Sequence, residues 1–191
     1  MNLAVVGHVE WVEYARVDHT PGPGEIVHAL ETWEELGRCD AVYFVSGDIA
    51  ALRAARRSPV LVATARELAT LRRAAVPVDV LVGSGEDAAE RFESGELDPA
   101  PQIVVTTAGA LGGWIRPGGP FRAAPLPGPV SDAYGCGDCF AAGLAYGLAL
   151  GKPVDEAVAL GAQCGAAVLT GRGAYGRQLT ADELSGDLHE P

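Results

Sequence analysis

The chain has 191 residues, 48% of them hydrophobic, and a formal net charge of -11 at pH 7. That length allows one sizeable domain with a single core, and the apolar content excludes a disordered chain. The negative charge argues against a nucleic-acid-binding surface, which needs a basic stripe, and suits a small-molecule ligand.

The N-terminal sequence predicts neither secretion nor membrane insertion. MNLAVVGHVEW has no basic region followed by a long apolar run, so it does not predict a signal peptide. No apolar segment reaches the length of a membrane span without a charge, glycine or proline. The cysteines at 39, 136, 139 and 164 lack a framework spacing, so disulfides are not expected. We therefore expect a cytoplasmic protein.

Extended segments are predicted first, and strands then alternate with helices. Residues 3–7 and 8–19 predict two strands, and 26–30 resumes an extended pattern after a turn. From about residue 40, strands are predicted by DAVYFVSG, PVLVAT, VDVLVG and QIVVTT, and helices by IAALRAARR, ARELATLRRAA and GEDAAERFE. GGWIRPGGPFRAAP predicts a hairpin that turns at PGG, and two helices follow at about 137–150 and 153–169. This alternation predicts an α/β fold with a mostly parallel sheet covered on both faces.

The segment VSDAYGCGDCFAAGLAYGL at 130–148 allows more than one interpretation. Gly135, Cys136 and Gly137 form a predicted turn before a long helix, whose first N–H groups and dipole favour an anion. Asp138 would face that anion, which makes sense if the carboxylate takes a proton from an attacking hydroxyl. The alternative is that Asp138 is only a favourable first-turn acid and that the glycines only form a turn.

Cys136 and Cys139 also have the C-x-x-C spacing of redox and metal sites. A Gly-Asp pair separates the two thiols, and the remaining cysteines and the four histidines offer no second ligand pair. The thiol interpretation is therefore weaker than the anion cradle. We interpret Cys139 and Cys164 as small core residues.

The segment DAYGCGDCFAAGL resembles the D-T-x-G-A-G-D-x-F-x-x-G signature of the ribokinase-like (PfkB) carbohydrate kinases. The matching residues are Asp132, Gly135, Gly137, Asp138, Phe140 and Gly143, with Ala133 in place of the motif's Thr and Cys136 in place of its Ala. The resemblance implies a three-layer, Rossmann-like ribokinase fold. It also implies that Asp138 is the general base and that Gly135 to Gly137 stabilise the transferring phosphoryl group.

Other segments resemble the family's motifs in the same order. TAGALGG is similar to the T-x-G-x-x-G nucleotide loop, and LTGRGAY is similar to a C-terminal loop near the adenine and a monovalent cation. These similarities imply a nucleotide-binding set of Thr107, Gly109, Gly112, Gly171 and Gly173. SGED stands where the family has N-x-x-E, a motif associated with magnesium and phosphate. The resemblance therefore implies Mg²⁺, with Asp87 and Asp132 as its carboxylates.

The chain departs from the family pattern on the substrate side. Glu10 and Val12 stand where ribokinases carry the Asn and Asp that bind sugar hydroxyls, and a valine cannot accept a hydrogen bond. The G-G-x-x-x-N-x-A helix and further lid strands have no counterpart between Glu35 and Asp40, so the lid is truncated or incomplete. Arg66 falls near a strand end that reads D-x-N-x-R in the family. Because the Asp and Asn are missing, Arg66 receives no role.

The resemblance covers nearly the whole chain, so we expect one domain, 1–191. In it, 1–35 is a residual lid and first-strand segment and 36–191 is the nucleotide-binding core. The implied activity is ATP-dependent phosphoryl transfer to an alcohol group of a sugar-like molecule. The alternative is a catalytically impaired nucleotide-binding module; a Rossmann oxidoreductase is disfavoured because G-x-G-x-x-G is absent. A shortened sheet exposes an edge, which predicts a homodimer.

Overall fold

The computed structural model describes residues 3–6, 33–173, 176–180 and 183. Part of the predicted strand at 3–7 is present as a strand over Leu3–Val6. The predicted extended segments at 8–19 and 26–30 lie outside the described residues. The candidate substrate residues Glu10 and Val12 lie outside them too.

The described strands form one sheet whose order follows the chain. The first five are parallel to their neighbours, and the last two form an antiparallel hairpin on β5. Their bounds are β1 Leu3–Val6, β2 Ala41–Phe44, β3 Val60–Thr64, β4 Val80–Ser84, β5 Ile103–Thr107, β6 Gly113–Arg116 and β7 Pro120–Phe121. The hairpin turns at 117–119, where the Ile115 N–H donates to the Gly119 carbonyl at 2.8 Å. The predicted parallel sheet and its hairpin are confirmed.

Helices cover both faces of the sheet. They are α1 Ile49–Ala55, α2 Leu68–Ala74, α3 Cys136–Ala149 and α4 Val154–Leu169. Alternate residues of a strand point to opposite faces, so Val42 and Phe44 join the core beneath α1 and α2, while Tyr43 joins the core beneath α3 and α4. This is the predicted three-layer α/β fold. None of the helices in the described ranges is long and apolar enough to cross a membrane.

The predicted helix at GEDAAERFE is wrong. Only a 3₁₀ turn forms there, over Ala88–Glu90, and the backbone is extended again at Arg91. Asp87 caps this turn by accepting a hydrogen bond from the Ala89 N–H at 2.8 Å. The turn lies so close to β4 that a β-carbon on Gly83 would clash with the Glu90 carbonyl. Packing against the strand therefore overrides the local preference for helix.

Glycines allow α3 and α4 to pack at close range. A β-carbon built on Gly143 would lie 2.7 Å from the Cys164 Sγ atom, and one on Gly147 would lie 2.9 Å from the Ala157 Cβ atom. On α4, a β-carbon on Gly161 would lie 2.6 Å from the Phe140 carbonyl oxygen. Because that last neighbour is backbone, it cannot rotate away.

Gly161→Ala should therefore destabilise the protein by about 1–3 kcal/mol, the usual cost of overpacking, despite the better helix propensity of alanine. Denaturant unfolding measures the change. Gly128→Ala is the control, since the carbon added there would meet Thr170 at an ordinary 3.8 Å. Equal midpoints for the two variants would show that the helix pair can separate at little cost.

Candidate active site

The loops that follow β4 and β5 meet at the carboxyl edge of the parallel sheet. Ser84 is the register partner of Thr107, and the Gly85 N–H donates to the Thr107 carbonyl at 2.8 Å. In open α/β sheets, ligands bind in the crevice at this edge. The structure therefore places the predicted nucleotide loop at 107–112 next to SGED at 84–87, the segment that stands where the family has N-x-x-E.

The conformation of the 107–112 loop depends on its glycines. Gly109 and Gly112 have φ angles of 51° and 89°, in the left-handed region that disfavours other residues. A β-carbon on Gly112 would also clash with the Phe121 carbonyl. Both the φ angle and this clash therefore require glycine at position 112. The Thr107 hydroxyl donates to the Gly83 carbonyl at 3.4 Å, which joins the start of the loop to β4.

The N-terminus of α3 is open. Gly135 precedes the helix with φ at 82°, and no side chain of the described residues caps the helix there. A β-carbon on Gly137 would meet no atom within 4 Å, and Asp138 in the first turn is exposed. Backbone N–H groups at a helix N-terminus attract anions. This geometry fits a phosphate group beside a carboxylate.

Asp132 joins two segments of the candidate site. One carboxylate oxygen accepts from the Tyr134 N–H at 3.0 Å, and the other accepts from the Gly173 N–H at 2.9 Å. These two hydrogen bonds hold the pKa of Asp132 below its usual range. Gly173 has a φ of 66°. Asp132 therefore holds the 171–173 loop beside the turn that leads into α3.

Gly171 lies in the same loop, where the backbone returns closely upon itself. A β-carbon on Gly171 would clash with the N–H of Arg177 and would lie 2.6 Å from the Gly176 carbonyl carbon. A larger residue would therefore push the loop apart, although the φ angle of Gly171 is ordinary. The glycine is required by this close approach.

Asp87 is engaged by Arg66, the residue to which the sequence assigned no role. The Arg66 guanidinium binds the Asp87 carboxylate at 2.7 Å and the Glu90 carboxylate at 2.6 Å. The Ala89 N–H and Arg66 together lower the pKa of Asp87. The position of Arg66 after a strand end, where the family has D-x-N-x-R, could have indicated a role for this residue. We assigned none because the Asp and Asn of that motif are absent from this chain.

These contacts do not present Asp87 or Asp132 as metal ligands. Each carboxylate uses both oxygens in hydrogen bonds within the chain, and Asp87 also faces a cation. In the described part of the chain, no three His, Cys, Asp or Glu side chains gather as a metal site would require. The assignment of Asp87 and Asp132 to Mg²⁺ stays a prediction, and the contacts favour a structural role for both.

The thiols near the site are poorly suited to redox chemistry. Burial raises the pKa of Cys136 and of Cys164, and burial together with neighbouring groups raises the pKa of Cys139 to about 11. Reactive cysteines have lowered pKa values, because the thiolate is the nucleophile. None of these cysteines is in a disulfide. The anion-cradle interpretation of 135–138 is therefore favoured over the thiol interpretation.

Core packing links the hairpin to α3. The rings of Phe121 and Phe140 stack with centroids 5.8 Å apart. Phe121 is the register partner of Gly113, and Gly113 is the residue that directly follows the 107–112 loop. Phe140 lies in the first turns of α3. This aromatic contact therefore connects the hairpin that follows the 107–112 loop to the start of α3.

Solved structures similar to this chain include sugar and nucleoside kinases. Ribokinase from Thermotoga maritima has 18% identity and a TM-score of 0.66 over 83% of this chain and 60% of its own. Adenosine kinase from Sinorhizobium meliloti has 19% identity and a TM-score of 0.63 over 83% and 57%. Ribokinase from Cryptococcus neoformans var. grubii serotype A, in complex with ADP, has 21% identity and a TM-score of 0.62 over 80% and 61%.

The chain thus spans about 57–61% of the length of these three structures. At such identities the likeness concerns the fold. No curated protein matches the chain. The family model described as pfkB family carbohydrate kinase matches residues 29–181. That match includes both candidate loops and all of α3 and α4, and the chain belongs to the pfkB family of carbohydrate kinases.

Proposed function

We propose that this protein transfers the γ-phosphoryl group of ATP to a hydroxyl group of a sugar or nucleoside. The observation that carries the proposal is the exposed Asp138 carboxylate beside the open N-terminus of α3. A carboxylate beside a phosphate is unfavourable because the two negative charges repel, so its presence there needs a catalytic reason. Taking the proton of an attacking hydroxyl is that reason.

In the proposed reaction, Asp138 accepts the proton of the substrate hydroxyl as its oxygen attacks the γ-phosphorus. The bond from that phosphorus to the β-phosphate bridging oxygen breaks, so the products are a phosphate ester and ADP. Gly135, Cys136 and Gly137 supply backbone N–H groups and the positive end of the helix dipole to the transferring group. Most of the catalysis is positioning and stabilisation of charge.

We assign the nucleotide to the loops at 107–112 and 171–173. The left-handed glycines of the first loop and the close backbone approach of the second leave little side-chain volume above the sheet edge. A cavity of about 210 Å³ lies against the C-terminal half of α4, at Gln163 and Ala167. It is lined by Ala124, Pro125, Pro127, Gln163, Ala167, Leu179 and Glu183. Most of its lining is apolar, as in small-molecule sites, and we propose it as the place of the nucleotide base.

The substrate class is supported by the relatives alone. The similar structures include ribokinases, an adenosine kinase and a nucleoside kinase in complex with inosine. Glu10 and Val12, which resemblance assigns to substrate binding, lie outside the described residues. We therefore propose a hydroxyl of a ribose-like ring as the acceptor.

ADP formation measured against a panel of sugars and nucleosides tests the function. We expect turnover with at least one panel member, with the phosphorylated product identified by mass spectrometry. A buffer blank and an enzyme sample without acceptor separate this activity from ATP hydrolysis. Absence of acceptor-dependent turnover across the panel would contradict the kinase function.

Nucleotide binding without turnover is the second candidate. It is favoured by the Arg66 ion pair, which occupies Asp87 in the segment where the family has N-x-x-E. Calorimetry distinguishes the two functions, because a binding module would take up ATP yet form no product with any acceptor. Robust acceptor-dependent turnover would exclude this candidate.

We also propose a homodimer that covers the edge of the sheet at β1. Among the described residues, β1 pairs on one side only, with β2. Edge strands present unpaired N–H and carbonyl groups, which proteins usually cover. Sedimentation velocity at micromolar concentration should give a dimer, and a monomer would refute the assignment.

A further inference from the structure

The segment that leads into α3 is hydrogen-bonded to the end of α4. The Ser131 N–H donates to the Leu169 carbonyl at 2.8 Å, and the Asp132 N–H donates to the same carbonyl at 3.3 Å. The Asp132 carboxylate accepts from the Gly173 N–H at 2.9 Å, across 41 residues of chain. The backbone and the side chain of Asp132 therefore both fasten the loop that follows α4 to the turn that precedes α3.

The resemblance of LTGRGAY implies a monovalent cation near this loop, so the oxygen atoms of the loop decide whether such an ion fits. Alkali cations are held by oxygen atoms that replace their water shell, as backbone carbonyls do in potassium channels. The carbonyl groups of residues 167, 168, 169 and 173 each accept a hydrogen bond from the chain. Ala133, which replaces the motif's Thr, has no side-chain oxygen. These described residues do not fit a monovalent-cation site.

The Asp132 carboxylate is also fully engaged. One oxygen accepts from the Tyr134 N–H at 3.0 Å and the other from the Gly173 N–H. These N–H groups, and more weakly the positive charge of Arg172 in the same loop, lower the pKa of Asp132. Hydrogen bonds to an ionised group are stronger than those between neutral groups. The chain itself therefore supplies the positive partners that a bound cation would bring to this carboxylate.

We propose that Asp132 is a positioning residue for the 171–173 loop, and that its direct hydrogen bond to Gly173 takes the place of a monovalent cation in nucleotide binding. Gly173 has a φ of 66°, and its N–H is held towards Asp132, three residues before the Gly135 turn. The bond keeps the loop in register with the start of α3. The proposal rests on the proposed function, because it takes 171–173 as part of the nucleotide site.

Exchange of the salt tests the replacement of the cation. On the wild type, with Mg²⁺ present throughout, calorimetry should give the same dissociation constant for ADP within about twofold in potassium, sodium and tetramethylammonium chloride at equal ionic strength. Tetramethylammonium is the control ion, because its methyl groups prevent close binding to oxygen atoms. Tighter binding in potassium or sodium chloride, beyond that range, would overturn the proposal.

Asp132→Asn tests the hydrogen bond. The asparagine side chain has one acceptor oxygen instead of two, so it cannot accept from both N–H groups. We expect the Gly173 amide to exchange with solvent at least about tenfold faster than in the wild type. ADP should bind about three- to thirtyfold more weakly, and potassium should not restore its affinity. Unchanged amide exchange or unchanged ADP affinity in a folded Asp132→Asn protein would refute the positioning role.

Asp155→Asn is the matched control, because it removes the same charge at the opposite end of α4 and should change neither measurement. With an active acceptor, Asp132→Asn should raise the KM for ATP and leave kcat unchanged. A general loss of folding stability would not produce that split. An Asp132→Asn protein in which kcat falls while the KM for ATP stays constant would contradict the proposal.

Failure of the proposed function gives a different result. A wild type that binds no ADP would refute the nucleotide assignment, and exchange of the Gly173 amide would then decide the cation question. We expect the same exchange rate in potassium and tetramethylammonium chloride, whereas slower exchange in potassium chloride would show that an ion holds the loop. This comparison uses the wild type alone, so it also decides the question if Asp132→Asn does not fold.

Discussion

Replacement of Asp138 by asparagine should slow acceptor-dependent phosphoryl transfer by about 10² to 10⁴-fold, the usual contribution of a general base. Asparagine has nearly the same shape, but its amide cannot take a proton from the substrate hydroxyl at neutral pH. The loss should appear in kcat, since the proton moves in the transition state. ATP affinity should stay the same or rise, because a negative charge beside the phosphates is removed.

The matched control for this prediction is Asp155→Asn. Asp155 is also an exposed acid in the first turn of a long helix, but that helix is α4, and its N-terminus follows the far end of α3. If Asp138 is only a favourable first-turn acid, both variants should lose a few tenths of a kcal/mol of stability and no activity. Equal rates for Asp138→Asn and the wild type would eliminate Asp138 as the base.

Elements with a strong hydrophobic pattern were predictable from the sequence. β2 to β5 each begin with at least three apolar or aromatic residues in succession, and α3 and α4 are long enough for their limits to be predicted within about a residue. The glycine turn before α3 was predictable too, and Gly135 precedes the helix with φ at 82°; the anion site there stays a prediction. Asp48 caps α1 by accepting a hydrogen bond from the Ala51 N–H at 2.8 Å. In each case the local preference and the tertiary contacts agree.

Features that depend on contacts between distant segments were not predictable. The 85–93 segment has the composition of a helix, but its packing on Gly83 allows only a single 3₁₀ turn. Arg66 and Asp87 are 21 residues apart, and only the parallel pairing of β3 with β4 brings them together.

The Gly137→Ala variant should separate activity from stability. The added carbon meets no atom within 4 Å, and Gly137 does not have a positive φ, so the fold accepts the methyl group. Helix propensity should raise the free energy of unfolding by up to about 1 kcal/mol. The same methyl group would stand at the N-terminus of α3, where we assign the transferring phosphoryl group. Phosphoryl transfer should therefore fall by about 10- to 100-fold, since precise donor placement matters at such sites.

Gly119→Ala is the control for Gly137→Ala, because its added carbon also meets open space but lies in the hairpin turn at 117–119. It should change neither activity nor nucleotide affinity. Denaturant unfolding and the ADP assay, applied to the same preparations, measure both effects. A stabilised Gly137→Ala protein with full activity would mean that the phosphoryl group does not approach this turn. The open start of α3 would then have only a structural role. The assignment of Asp138 as the base would also lose its support, because that assignment requires a phosphoryl group at this turn.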